Sequence, residues 1–330
     1  VVVNTIAIVT LGSIAEVYLR LQGVPRYVRT YPGQYLDDPN GRVWWAEADP
    51  KLGWTADRTQ PDINREGFRS FKDFADARFD TEKPRVMVLG DSFAYGAGLP
   101  AEFNFPSRLE KRLGSEFEIY NLGVPGWGID QMYLAYQQHR DVIRPKYVLL
   151  TFIDDDVSRV LESYRVWERL TKPSFALEKG ALVSRGLPTF TERLLNKLCS
   201  RSVLFGLVIR ELYISREARP IVGEIFREMS RQASQRGEYF AVVRIPVPTK
   251  VAARYASIPT WIAAVNQNAN FFDHFLKGMN AVYFDPLKEF QSHPNWELDL
   301  YLRDGHLSAE GHEFLARQIA LHIFKRNPDF

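Results

Sequence analysis

Cysteine is almost missing from this chain. Cys199 is the only one in 330 residues, which excludes an intrachain disulfide and leaves the compartment open. Within "NKLCSRSVLF" it has no cationic motif beside it and reads as a helix–core contact, not a reactive thiol. A surplus of charge is missing too: 42 basic residues face 40 acidic ones, for a net +2. So close a balance leaves no electrostatic footprint for nucleic acid. Histidine is scarce, with six in all, so candidate bases are few. Internal repeats and low-complexity tracts are absent. Long apolar runs are limited to one, from Val1 to Ala15, before the first charge at Glu16. It is shorter than the roughly 20 residues of a membrane span. Ser13 and Ala15 suit a signal-peptidase site, although no basic stretch precedes them. Residues 1–21 are expected to be an export signal or membrane anchor, which would place the protein at the membrane or outside the cytoplasm. The alternative is a helix packed on the domain.

What is present describes a folded body. The chain is 45% hydrophobic and 25% charged, enough for a substantial core. Residues 22–84 are loop-rich, with Pro25, Pro32, Pro39, Pro50, Pro61 and Pro84 spacing out Trp44, Trp45 and Trp54. Aromatics at this density seek burial, so this extension is expected to cap the domain. From residue 85 a strand–helix alternation begins. "RVMVL" (85–89), "FEIYNLG" (117–123), "YVLLTF" (147–152), "YFAVVRIPV" (239–247) and "AVYFD" (281–285) are strand candidates. Helices are expected from Asn104 as N-cap with Pro106 in the first turn, through "DQMYLAYQQH", through "EIFREMSRQASQRG" and near 260–278. A last amphipathic helix places Leu315, Ile319 and Ile323 on one face. This pattern predicts a mostly parallel sheet covered on both sides, an α/β fold over 85–330 with an insertion at about 157–220.

In such a sheet, ligands sit outside the carboxyl ends of the strands. "VMVLGDSFAYGAG" puts Ser92 at that edge. It is not the G-x-S-x-G elbow, because Ala94 stands where the second glycine would be. Asp91 and Ser92 alone equally suit a turn cap. A nucleophilic serine needs a base and a group to orient that base. "LRDGHLSAEGHEFLA" supplies Asp304 and His306 in a Gly-flanked loop before the last helix; the plainer alternative there is a helix start capped by Ser308. Of the other histidines, His312 falls inside that helix and His293 precedes a proline. His139, His274 and His322 read as surface or boundary positions on helices. "NLGVPGWG" (121–128) offers glycine amides after the second strand, and "FIDDDV" (152–157) three carboxylates after the third. No His or Cys lies near those acids, so no metal and no cofactor is expected.

In motif order, these segments resemble the SGNH (GDSL) hydrolases over most of residues 85–325. "DPKLGW" and "INREGFRS" look like the leader of exported bacterial members. The resemblance implies a three-layer α/β/α sandwich. It makes Ser92 the nucleophile, whose amide also serves the oxyanion hole, Gly126 a second amide donor, His306 the base and Asp304 its partner. Two departures stand out. The family spaces its last pair D-x-x-H, whereas here it is D-x-H. By register, Asp155 occupies the place of an oxyanion-hole asparagine, and an ionised carboxylate accepts hydrogen bonds where a donor is wanted. The implied activity is a serine esterase or deacylase acting on small-molecule or glycan acyl esters, with O-acetyl groups on envelope carbohydrate as the expected substrate. An O-acyltransferase and a non-catalytic carbohydrate binder are the alternatives.

Overall fold

Two-residue alternation along "RVMVL" sorts its side chains onto two faces: Met87 and Leu89 join one buried cluster, Val86 and Val88 another. The structure, a computed structural model, describes residues 2–21, 46–78, 83–161, 164–165, 170–186, 198, 201–205, 215–248, 271–272 and 275–325. Trp44, Trp45, Cys199, His274 and most of the stretch near 260–278 lie outside these described residues.

Five strands form one all-parallel sheet: β1 (Arg85–Gly90), β2 (Glu118–Gly123), β3 (Tyr147–Phe152), β4 (Tyr239–Arg244) and β5 (Val282–Phe284). Their spatial order is β5-β4-β3-β1-β2. The chain therefore runs to one side of β1 for its second strand and to the other side for its third. This reversal, between β1 and β3, is the switch point where the carboxyl ends splay and ligands bind. Both faces are covered by helices, as the apolar runs require.

Seven helices are used below: α1 (Val2–Leu21), α2 (Ser92–Tyr95), α3 (Phe105–Leu113), α4 (Ile129–Ile143), α5 (Asp154–Arg159), α6 (Ser215–Gln235) and α7 (Ala309–His322). Helices α4 and α6 cover the Met87 face through Met132, Tyr136, Ile225 and Phe226. Helices α3 and α7 cover the Val86 face through Leu109, Leu315 and Ile319. Asn104 caps α3, its Oδ1 accepting from the Ser107 amide at 2.8 Å. Ser308 caps α7, its Oγ accepting from Gly311 N at 3.0 Å.

The segment before the sheet is built into the core. A hairpin pairs Ala46–Asp49 with Gly53–Ala56, and Trp54, Phe68 and Phe74 are fully buried with the α4-side cluster. His139 joins them. It is buried against the stacked pair Phe68 and Phe74, edge-on to both at 5.2 and 5.1 Å, which corrects its assignment to a surface or boundary position. Its neighbours along the chain are polar, but Ala135, Tyr136 and Ile143, three and four positions away, share its buried face, so helical periodicity already places it inward. Helix α1 carries exposed Val9, Leu11, Ile14, Val17 and Leu21. Among the described residues, no helix is long and apolar enough to cross a membrane.

Candidate active site

Strand β1 ends at Gly90, and the chain turns at once into α2. Asp91 caps this helix, its Oδ1 accepting from Phe93 N at 2.9 Å. Ser92 is the first helical residue, so its amide has no acceptor within the helix. The capping and nucleophile readings of the Asp91–Ser92 pair therefore coexist. Neighbouring strands hold α2 close. A Cβ on Gly123 would lie 2.5 Å from Tyr95 N, a contact that only glycine permits. Asn121, buried at the end of β2, fixes the same approach: its Nδ2 donates to Ala94 O at 2.9 Å, and its Oδ1 accepts from Gly123 N at 2.9 Å.

The tail reaches this edge from 214 positions away. His306 Nε2 lies 2.9 Å from Ser92 Oγ. On the other side of the ring, Nδ1 lies 3.1 Å from Asp304 Oδ2. A proton on Nδ1 donated to the carboxylate leaves Nε2 bare to accept from the serine hydroxyl. The short D-x-H spacing works because Asp304 divides its oxygens. Oδ2 takes the ring, and Oδ1 accepts from the His306 backbone amide at 3.1 Å. Burial pushes the Asp304 carboxyl up, but the hydrogen bonds and charge of His306 outweigh it and hold it below the usual carboxylate range. Phe93 packs on the imidazole at 5.3 Å.

Gly126 sits in a tight turn between β2 and α4. Trp127 N donates to Val124 O at 3.3 Å, Pro125 is the second residue, and Gly126 follows with φ of 79°. That is a type II turn, whose third position favours glycine. The turn's own hydrogen bond does not use the Gly126 amide. Two indoles brace it: Trp54 Nε1 donates to Pro125 O at 3.0 Å, and Trp127 Nε1 donates to Trp54 O at 3.0 Å. Arg69 does similar work on α2, donating to Tyr95 O and Gly96 O at 3.3 and 3.0 Å.

After β3 come the three acids of α5. Asp155 is at the same edge, its Oδ2 accepting from Arg159 Nη2 at 2.9 Å. Asp156 is fully buried and accepts from Ile153 N at 3.0 Å. Burial and the neighbouring Asp91 carboxylate push its proton affinity up against the pull of Arg159. Arg159 itself, along with Trp54, Trp127 and Arg69, was not visible as a site residue from sequence. Its only signal is the i+4 and i+3 spacing from Asp155 and Asp156. His293 lies apart from the serine, near Glu310 at 3.3 Å. His312 is buried, its Nδ1 accepting from Phe105 N at 3.1 Å. Among the described residues, no group of His, Cys, Asp and Glu is arranged to hold a metal ion.

At the carboxyl edge of a doubly wound parallel sheet, a hydroxyl, an imidazole and a carboxylate stand in hydrogen-bonded series, the arrangement that serine hydrolases use. The chain belongs to the GDSL-like lipase/acylhydrolase family, whose profile matches residues 88–314. Solved structures similar to it include TesA, at 13% identity and a TM-score of 0.44, covering 72% of this chain and 98% of that one. A psychrotrophic esterase, EstA, from Pseudoalteromonas sp. is similar at 13% identity and a TM-score of 0.44, covering 74% and 98%. A carbohydrate acetylesterase family member from Sinorhizobium meliloti is similar at 14% identity and a TM-score of 0.41, covering 73% and 98%. No curated protein matches the chain.

Proposed function

We propose that Ser92 is the nucleophile, His306 the general base and acid, and Asp304 the group that holds the imidazole, in an esterase that removes acyl groups, O-acetyl above all, from envelope carbohydrate. The observation that carries the catalytic reading is the contact of Ser92 Oγ with His306 Nε2 at 2.9 Å, backed by Asp304 at 3.1 Å. Ser92 Oγ attacks the ester carbonyl carbon while Nε2 takes the hydroxyl proton. The carbonyl oxygen becomes an oxyanion facing the amides of Ser92 and Gly126. His306 returns the proton to the departing alcohol. Water then repeats the sequence on the acyl-serine, releasing the acid and restoring the hydroxyl. A site that only bound glycan would have no use for an imidazole aligned on the serine.

The acetyl and carbohydrate parts draw on the family resemblance together with the export signal or anchor expected of residues 1–21, which α1 forms. Its exposed apolar side chains suit attachment at a membrane, and its two charges are paired, Glu16 with Arg20 at 2.7 Å. A fluorophosphonate probe is expected to label Ser92 and to fail on Ser92→Ala and His306→Ala. Labelling that survives His306→Ala assigns the base elsewhere. An acyl-chain series on aryl esters tests the acetyl preference, and products formed with a sugar acceptor separate hydrolysis from acyl transfer. Fractionation of the native chain is expected to place it with the membrane or outside the cytoplasm. Recovery as an ordinary cytosolic protein would refute that placement.

A further inference from the structure

Three carboxylates gather at the carboxyl edge beside Ser92, and one guanidinium faces all of them. Arg159 Nη1 donates to Asp91 Oδ2 at 3.3 Å, to Asp156 Oδ1 and to the Trp127 carbonyl at 2.9 Å; its Nη2 donates to Asp155 Oδ2 at 2.9 Å. Arg159 is 5% exposed, Asp91 1% and Asp156 0%, so these contacts lie largely outside solvent screening. They also come from separate pieces of the site: the nucleophile turn, the residue after Gly126, and the first turn of α5. Only a planar fork with donors on several sides satisfies such a set. The remaining charges nearby have their own partners, Asp154 and Asp285 on Arg244 and Asp130 on Lys172.

The Asp91 oxygen is the informative one. Ser92 Oγ lies 3.3 Å from Asp91 Oδ2, the same atom that Arg159 holds. Left uncompensated, that carboxylate would compete with His306 for the serine proton. Its charge, with that of Asp155, would also oppose the oxyanion.

We propose that Arg159 is a positioning residue for catalysis, which neutralises the acids around Ser92 and locks the Gly126 turn through the Trp127 carbonyl. Asp155 brings a negative charge to this edge, and Arg159 compensates it directly. The proposal rests on the Ser92–His306 reading above.

The test compares the full chain with Arg159→Gln, Arg159→Lys and the double variant Arg159→Gln, Asp155→Asn. Turnover of an aryl acetate is measured across pH, with thermal melts to fix the folded fraction. Facing His306 are Asp304, Ser92, the Phe93 ring and, further off, the buried His312; facing Arg159 are Asp91, Asp155 and Asp156. Arg159→Gln is expected to lower kcat by roughly 10²-fold, the scale of a lost oxyanion donor. It should also move the acidic limb of kcat/KM to higher pH, because uncompensated carboxylates favour a charged imidazole. Adding Asp155→Asn should bring the limb partway back and recover part of kcat. Parental turnover in Arg159→Gln, or a loss of turnover with an unmoved limb, overturns the proposal. If Arg159→Gln does not fold, Arg159→Lys decides: lower kcat with the limb in place supports it, and parental kcat overturns it. Activity retained in Ser92→Ala would instead sink the underlying catalytic reading.

Discussion

Asp304 serves two masters within three residues, and its two tasks separate experimentally. One oxygen orders the loop through the His306 amide, and the other sets the imidazole tautomer. Asp304→Asn keeps the loop acceptor but presents an amide donor to Nδ1, which favours the tautomer with its proton on the wrong nitrogen. The variant is expected to stay folded and to lose roughly 10³–10⁴-fold in kcat, measured on an aryl acetate. Near-parental turnover would remove Asp304 from the mechanism. Because its carboxyl is held below the usual range, it stays ionised further into acid than an ordinary aspartate. Its contribution to stability is present above the ordinary aspartate value and disappears only as pH falls through the lowered one. Ser92, Asp304 and His306 were legible in the sequence because each sits in a short glycine-marked segment at a fixed place relative to an element. Arg159 was not, since two of its partners, Asp91 and the Trp127 carbonyl, are 68 and 32 positions away.

Among the elements, the strands were the most legible, because β1 to β4 alternate between two buried faces. The limits of β1 to β3 follow from hydrophobic runs to within a residue, whereas β4 stops at Arg244 and not at residue 247 as its apolar run predicts, with Pro246, which has no amide to donate, just beyond. The caps of α3 and α7 were legible for a local reason: Asn104 and Ser308 bond amides three residues on. The role of residues 46–78 was legible only as burial. The sequence shows aromatics that need cover, but not that Trp54 ends against Pro125 or that Gln131 Nε2 donates to Leu52 O at 2.8 Å. The same limit applies to the fully buried Lys172–Asp130 pair, which ties the region after α5 to the first turn of α4. The turn at Gly126 offers a test at this scale. Gly126→Ala forces a side chain into φ of 79°, at a cost of about 1–2 kcal/mol. Displacement of its amide should lower kcat by roughly 10²-fold while KM changes little. An alanine variant with parental kcat would show that this amide is not an oxyanion donor.

For the whole molecule, acid is the expected weakness, and histidine is the reason. Burial lowers the His139 pKa to about 4 and that of His312 to about 3. Both are neutral in the folded state and charge readily once unfolded. The stability they confer is therefore complete above about 6.5, the unfolded value, and is lost as pH falls toward those depressed values. For His139 the loss amounts to about 3 kcal/mol when complete. His139→Leu fills similar space against Phe68 and Phe74, and its Tm should fall less steeply between pH 6.5 and 4 than the parent's. An equally steep fall would place the acid sensitivity elsewhere. The distance of 214 positions between Ser92 and His306 bears on time as well as geometry. Strands β1 to β4 all precede the loop that carries the imidazole, so a nascent chain can hold Ser92 in place with no base beside it. On the proposed chemistry, turnover then reports closure of the last helix against α3.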